Sequence, residues 1–384
     1  MSMIWDVVVV GGGPAGSTAA HDLARSGKRV ALLDRAGRIK PCGGAIPPRA
    51  IRDFDIPDRL IKARIRSARI VAPSAKFVDM PVENGFVGMV NRCEFDEWLR
   101  MRAAEAGAVR VTGRFTNFST GADGVAEITY DGGVLRARMV IAADGARSEL
   151  AQQAIPGQPH PKCVFAYHEI VETPPGHDNT RCDVVYRGTH SPDFYAWIFP
   201  HGETASIGTG SARKGFGMRE AIGRLRAETG LAEARTIRRE GAPIPMKPLK
   251  RWDNGRNLVL AGDASGVVAP ASGEGIYYAM LGGRLAAEAV QMALATGEAA
   301  MLGTARKRFM KLHGKVFWIL GIMQLFWYRN DWTRERFVKM CADPDVQRLT
   351  WESYMNKDLV RKKPLAHVKI FFKDLAHLCG MARA

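Results

Sequence analysis

The sequence predicts an α/β protein with α+β elements: a parallel-sheet domain, an antiparallel-strand region inserted into it, and a basic helical end. Three observations lead there. Residues 5 to 34 read as strand, glycine turn, helix and second strand. A strand delivering an Asp-Gly or Gly-Asp pair occurs twice more, at Asp144 and at Asp263. Period-two segments fill the space between those two, and helix-period segments follow them.

The first unit is WDVVVVGGGPAGSTAAHDLARSGKRVALLD, Trp5 to Asp34. The apolar run Val7 to Val10 enters Gly11-x-Gly13-x-x-Gly16, an alanine-rich helix follows, and Val30 to Leu33 close on Asp34. Gly11 permits the tight turn, Gly13 lets the backbone approach a pyrophosphate, and Gly16 lets the helix pack on the first strand. The helix N-terminus then faces the phosphates with free N–H groups and its positive dipole end. Asp34 stands where a carboxylate accepts from a ribose diol. The unit is Rossmann-like and calls for a dinucleotide.

At 384 residues the chain is long enough for two domains. The net charge is +16, and residues 301–384 hold 17 Lys plus Arg against 7 Asp plus Glu, so +10 of the excess lies in the last fifth. An anionic partner is expected for that segment. The cysteines Cys42, Cys93, Cys163, Cys182, Cys341 and Cys379 show no metal-ligand spacing, which points to a reduced, cytoplasmic compartment and to no metal. The first strand begins within a few residues of Met1, so no signal peptide is expected. The longest apolar run, Val316 to Tyr328, has thirteen residues broken by Gln324, against roughly 20 needed to span a bilayer.

After Asp34, the segment RAGRIKPCGGAIPP is too rich in Gly and Pro for a helix or central strand. It is expected as an ordered loop on the nucleotide side, which would bring Cys42 near the cofactor; as composition alone has it, Cys42 is a small buried hydrophobe. Ala68 to Ala72 and Phe86 to Val90 read as strands. Asn91, with Glu94 three positions on, reads as the cap of a helix reaching Ala106. Arg92 sits in that first turn, where the dipole favours an acid; a nearby anion or a solvated surface position would each explain it.

From Val109 to Val140 the pattern alternates, with turns at Gly121 to Gly124 and at Asp131-Gly132-Gly133, and reads as a small antiparallel sheet. It ends in Met139 to Ala143 and Asp144-Gly145. The later stretch, residues 257 to 290, repeats the grammar: Leu258 to Ala261, Gly262-Asp263, then a helix starting near Gly273-Glu274-Gly275. A plain nicotinamide dehydrogenase does not need this second site. FAD does, because its ribityl and ring portions extend beyond the first pyrophosphate turn. Asp263 is then an acceptor for ribityl hydroxyls, and the helix N-terminus at Gly275 stabilises negative charge on the reduced ring.

Between those halves, Phe194 to Pro200 reads as a strand with Phe194, Ala196 and Ile198 on one face and Tyr195, Trp197 and Phe199 on the other. The aromatic face is sheet core or a binding wall. Gly208-Thr209-Gly210-Ser211 lacks a third glycine, since Arg213 stands there, so no dedicated nicotinamide domain is expected. The end of the chain reads as helices at Thr304 to Tyr328, Glu335 to Met340, Val346 to Asn356 and Ala366 to Leu378. Lys311, Lys315, Arg329, Arg361, Lys362, Lys363, Lys369 and Lys373 alternate there with Phe317, Trp318, Phe326, Trp327, Phe371 and Phe372. That mixture suits an anionic membrane interface, with solvated core helices as the plainer alternative. No nucleic-acid fold signature occurs. The expected boundaries are 1–160 with 251–300 for the nucleotide domain, 161–250 for the sheet domain and 301–384 for the helical region.

GGGPAG with Asp34, KPCGG, the Asp144-Gly145 turn, YAWIFP, GDASG and GEGIYYAM together resemble the geranylgeranyl reductases, flavoproteins that share the fold of the aromatic-hydroxylase-type monooxygenases and the glutathione-reductase type of FAD domain. PCGGAIPPR, PIPMKPLKRWDNGR and DPDVQRLTWESYMNK resemble the branch serving bacteriochlorophyll and chlorophyll synthesis. Asp34 departs from the Glu that many such proteins carry. The resemblance implies an NADPH-dependent reduction of geranylgeranyl to phytyl, on the pigment ester or on the free diphosphate. It implies FAD held by Gly11, Gly13, Pro14, Ala15, Gly16, Asp34, Arg35, Cys42, Gly43, Gly44, Arg92, Asp144, Gly262, Asp263, Gly273, Gly275 and Ile276. The aromatic wall of Tyr195, Trp197, Phe199 and Pro200 becomes the expected lining for the prenyl chain. Cys42, and behind it Tyr195 and His168, become candidates for the proton donor. A peripheral place on the cytoplasmic side of a photosynthetic membrane, beside other pigment-synthesis enzymes, is implied too. The rivals are a monooxygenase of the same fold and a non-catalytic carrier of prenylated pigment.

Overall fold

The computed structural model describes residues 3–35, 39–83 and 85–357. The chain forms two compact units, the first from Met1–Lys40, Arg92–Cys163 and Pro243–Leu320, the second from Pro41–Asn91, Val164–Ala242 and Gly321–Ala384. In chain order, β1 (Ile4–Val10), α1 (Pro14–Arg25) and β2 (Val30–Asp34) make the opening unit. Then come β3 (Ala45–Ile46), α2 (Pro48–Asp53), β4 (Ile61–Ile65), β5 (Ser67–Val71), β6 (Phe77–Pro81) and β7 (Val87–Val90). They precede α3 (Arg92–Glu105), β8 (Val109–Thr112), β9 (Phe115–Thr120), β10 (Ala126–Tyr130), β11 (Gly133–Ala142) and α4 (Glu149–Ala154). The inserted elements are β12 (Cys163–Glu172), β13 (Arg181–Val185), β14 (Ala196–Pro200), β15 (Thr204–Ser211), α5 (Met218–Glu228) and β16 (Thr236–Pro245). β17 (Leu258–Leu260), α6 (Ile276–Thr296), α7 (Thr304–Trp327), α8 (Asp331–Met340) and α9 (Pro344–Asn356) complete the described chain. The expected helix at Ala366 to Leu378 lies outside the described residues.

The first unit is built on a sheet in the order β8-β2-β1-β11-β10-β9, with β17 beside β11. β1 carries four valines in a row, all buried. A continuous apolar run fits a strand covered on both faces, as parallel strands are. β1 pairs parallel with both β2 and β11, so the chain leaves β1 to one side and later returns on the other. That reversal opens a crevice at the carboxyl end of β1, where open α/β sheets bind ligands.

Residues 109–140 do not form the separate antiparallel sheet expected. β8 pairs parallel with β2, and β11 pairs parallel with β1 and β17, so both belong to the main sheet. Only the β9–β10 pair and the pairing of β10 with the start of β11, both antiparallel, match the reading.

In the second unit a sheet runs β16-β12-β15-β14-β13-β5-β6, beside a small sheet β3-β7-β4. β5 joins β13 in parallel register, Ser67 opposite Arg181. This pairing is why residues 41–91, expected within the nucleotide domain, group with the inserted sheet. One face of the large sheet packs Ala196, Ile198, Ile207 and Val185 against Ile222 and Leu225 of α5. The alternation of β14 holds from Tyr195 onward. Phe194 departs from it: its N–H donates to Ser191 Oγ at 2.9 Å and its ring stacks on Tyr195 at 4.2 Å.

Candidate active site

The first-unit cleft is built around the glycine turn. Gly11 has φ +107°, and a Cβ there would lie 2.3 Å from the Ala143 carbonyl oxygen. A Cβ at Gly16 would lie 1.8 Å from the Gly11 carbonyl oxygen, so only glycine lets α1 sit this close to β1. Gly13 is different: apart from its chain neighbours, no atom of the described residues lies within 4 Å of its would-be Cβ. The space over Gly13 is open for a ligand. Pro14 starts α1 with no side-chain cap and no acid in the first turn, so the helix N-terminus is left for an anion.

Asp34, Arg35, Asp144 and Asp263 line this same cleft, together with Pro14 and Ala15. Gly12, which the motif reading passed over, gives Asp34 its place: a Cβ at Gly12 would be 2.6 Å from Asp34 Oδ2. Asp144 Oδ2 accepts from the Leu150 N–H at 3.2 Å, and Ser148 supplies the α4 cap. Asp144 Oδ1 is buried without a hydrogen-bond partner among the described residues, and burial pushes the carboxyl above the usual carboxylate range. A buried acceptor left unpaired costs about 1–3 kcal/mol unless something donates to it. Asp263, on the turn Gly262–Ser265, pairs with the Lys40 ammonium. Gly262 has φ +64°, and a Cβ there would be 2.7 Å from that of Ala15. Gly273, with φ +65°, and Gly275 lead into α6, which begins at Ile276; a Cβ on Gly275 would be 3.8 Å from Asp263 Oδ1.

Arg92 finds its anion on its own helix. Its guanidinium donates in two bonds to Asp96, at 2.8 and 2.7 Å, and both side chains are buried. Asp96→Ala leaves a buried charge without this partner and is expected to cost about 3–5 kcal/mol, read as a lower denaturant midpoint. Arg100 follows four residues later and donates to the Gly12 carbonyl at 3.2 Å, 3.5 Å from Asp34 Oδ2. Lys40, Arg100, Arg114 and Arg147 also line the cleft and were missed from sequence. The spacing 92, 96, 100 on one helix face was the available signal. The open Gly13 cradle, the orphaned Asp144 oxygen and this cationic wall fit a dinucleotide diphosphate with hydroxyl-bearing arms.

In the second unit the aromatic wall is real: Tyr195 to Trp197 and Trp197 to Phe199 stand 5.9 and 6.0 Å apart between ring centroids. Pro200 is buried at the end of β14. Phe199 also packs into the core cluster of Ala63, Ile65, Val87 and Met89, so that end of the wall doubles as sheet core. Gly208 and Gly210 are strand glycines that make room for rings. A Cβ at Gly208 would lie 2.1 Å from Trp197, and one at Gly210 would lie 2.9 Å from Phe194.

The Cys42–Gly44 loop lies on this wall, with Gly43 against the Phe199 ring: a Cβ there would be 2.8 Å away. His168 is buried, its Nδ1 2.8 Å from Ser206 Oγ and its Nε2 3.2 Å from Glu240. The Glu240 carboxylate can only accept, so the histidine donates to it from Nε2, and Ser206 Oγ also accepts from the Trp197 indole N–H at 3.1 Å. Burial pushes the Tyr195 hydroxyl well above its usual range, which weakens it as an acid.

His201 is half-buried. Desolvation pushes its imidazole down to about 4, against the opposing pull of the Gly43 carbonyl, with His168 and Arg238 adding repulsion. The unfolded ring takes up a proton near pH 6.5 and the folded ring near 4, so the fold loses stability as pH falls through that window and gains it above. The loss is on the order of 3 kcal/mol. His201→Phe should flatten the slope of stability against pH between 6.5 and 4, measured by denaturant titration.

An FAD binding domain family matches residues 5–312. A geranylgeranyl diphosphate reductase of Rhodobacter capsulatus is 56% identical over 99% of this chain and 98% of its own. The chain belongs to the geranylgeranyl reductase family. The chloroplastic geranylgeranyl diphosphate reductase of Oryza sativa is 35% identical over 97% of this chain and 86% of its own. Among solved structures, a geranylgeranyl bacteriochlorophyll reductase-like protein of Thermoplasma acidophilum shares the fold, with TM-score 0.82 and 23% identity over 94% of this chain and 99% of its own. This geranylgeranyl reductase family member is thus a flavoprotein oxidoreductase with FAD as its cofactor, and the monooxygenase alternative is not favoured.

Proposed function

We propose that the protein hydrogenates the geranylgeranyl chain to phytyl, on the diphosphate or on a pigment ester, with NADPH as the electron source. The observation that carries the reading is the Cys42–Gly44 loop lying on the Tyr195, Trp197 and Phe199 wall, beside full-length kinship to proteins named for geranylgeranyl diphosphate.

Gly11, Gly13, Pro14, Ala15, Gly16, Asp34, Arg35, Arg92, Asp144, Gly262, Asp263, Gly273, Gly275 and Ile276 are assigned to FAD, with Cys42, Gly43 and Gly44 joining them. When bound and reduced by NADPH, FAD would supply the hydride. The protein must supply a proton, because an isolated alkene has no carbonyl to take up charge. Cys42 is the first candidate. His168 has both ring nitrogens engaged, and Tyr195 is held in its protonated form by burial, so both stand behind it. The wall binds the apolar chain through Tyr195, Trp197, Phe199 and Pro200. The test is the stoichiometry in air. NADPH consumption should match double bonds saturated, whereas a hydroxylated product formed with matching oxygen uptake would establish the monooxygenase, and a flavin that NADPH does not bleach would establish the carrier.

The same reading places the protein on an anionic membrane surface on the cytoplasmic side, within reach of other pigment-synthesis enzymes. No helix among the described residues is long and apolar enough to cross a membrane. The exposed side of α7 carries Lys307, Lys311 and Lys315 toward its start and Trp318, Ile319, Ile322, Leu325 and Phe326 toward its end. Trp318 is 69% exposed and Leu325 80%, values that suit an interfacial helix better than a solvated one. Arg361, Lys362, Lys363, Lys369, Lys373, Phe371 and Phe372 lie outside the described residues. The protein should sediment with anionic vesicles at low salt and release as salt rises. Replacing Trp318 and Leu325 together by alanine should weaken partitioning roughly tenfold or more. Equal recovery in the supernatant with and without vesicles would defeat the membrane placement.

A further inference from the structure

His201 stands just beyond β14, in the tight connection to β15, where its N–H donates to the Thr204 carbonyl at 2.7 Å. The ring is therefore carried by the sheet. Its Nε2 donates to the Gly43 carbonyl at 3.0 Å. The carbonyl can only accept, so the ring is in the tautomer with its proton on Nε2. Gly44 lies flush on the same ring: with φ +76°, a Cβ there would be 2.6 Å from His201 Cε1 and 2.4 Å from the Val90 carbonyl oxygen. Two further bonds hold the loop, from Val90 N–H to the Gly44 carbonyl at 2.9 Å and from Gly44 N–H to Cys42 Sγ at 3.4 Å. Both of those donors are backbone groups. Of these three bonds, only the one from His201 has a side-chain donor.

We propose that His201 is a positioning residue for alkene reduction, fixing the Cys42–Gly44 loop so that the Cys42 thiol keeps one orientation on the Trp197 and Phe199 wall. The inference rests on the proposed role of Cys42 and extends it to the group that aims it. The hydrogen bond fixes the Gly43 peptide plane, and the ring surface fixes Gly44. Together they leave the residue before them little rotational freedom. Small misplacements of a reacting group are costly because the geometry of attack is narrow.

The test uses the full-length, FAD-loaded protein with His201→Phe, which keeps a ring and loses the donor, and His201→Gln, whose amide nitrogen takes the place of Nε2. Two quantities are read: the rate at which iodoacetamide alkylates Cys42, from the mass of its peptide without substrate, and the rate of alkene-dependent flavin reoxidation without oxygen. In His201→Phe, alkylation of Cys42 should quicken severalfold and the alkene step should slow roughly tenfold, with KM for the alkene nearly unchanged. His201→Gln should restore both. If the phenylalanine variant does not fold, His201→Asn, too short to reach the Gly43 carbonyl, is expected to behave as the donor-loss variant. Wild-type alkylation in a donor-loss variant overturns the inference, whatever the alkene rate. If Cys42→Ser reduces alkenes at the full rate, the role of Cys42 falls, while faster alkylation in His201→Phe would still uphold the anchoring.

Discussion

Cys42→Ser is expected to bind FAD, to accept electrons from NADPH, and to reduce the geranylgeranyl chain on the order of 10²-fold more slowly than the parent protein. Serine preserves the size of the side chain and its place between Pro41 and Gly43, so the loop still lies against Phe199 and under His201. What changes is acidity, because an alcohol gives up its proton far less readily than a thiol. Rapid-mixing measurements of the two half-reactions separate the effects: flavin bleaching by NADPH should be unaltered and recolouring by the alkene should be slow. An alkene step at the parent rate would remove Cys42 from the role and return attention to His168, whose two ring nitrogens are both engaged, and to Tyr195, which burial keeps protonated.

Gly13→Ala separates cofactor binding from folding. At Gly11 and Gly16 an added methyl would strike backbone at 2.3 and 1.8 Å, so those variants should be destabilised with or without flavin. At Gly13, apart from its chain neighbours, no atom of the described residues lies within 4 Å of the added methyl. The flavin-free variant should therefore unfold at the same denaturant concentration as flavin-free parent, while FAD affinity falls by roughly 10- to 100-fold as the methyl intrudes on the pyrophosphate and N–H groups of the first turn. Titration calorimetry with FAD and a parallel denaturant series measure the two separately. Equal FAD affinity would show that the diphosphate does not rest on this turn.

The first unit was legible from the sequence because its signals are local. The buried valine run, the glycine spacing and Asp34 fall within thirty residues, and each reports a requirement of its own neighbourhood. Residues 109–140 were misread because alternation specifies a strand without specifying its partner. β8 and β11 found parallel partners far away, in β2 and in β1 and β17. The same limit hid the pairing of β5 with β13, and with it the grouping of residues 41–91. Phe194 broke the alternation because a hydrogen bond to Ser191, and not strand pairing, sets its backbone. In the site, Gly12 was passed over because its role depends on a carboxylate 22 residues on. His201 was passed over because a single histidine after a Pro gives no sign of the carbonyl it meets. By contrast, Arg92 in a first helical turn was a readable anomaly, and Asp96 resolves it.

The most direct test of the central claim is an anaerobic turnover. The purified flavoprotein is reduced with NADPH, a geranylgeranyl diphosphate or geranylgeranylated pigment is added, and flavin recolouring is followed together with product mass. Recolouring without oxygen, with successive gains of two hydrogens on one substrate, is the predicted result, and the substrate that supports it is the true one. A flavin that stays reduced until oxygen is admitted would contradict the reductase assignment.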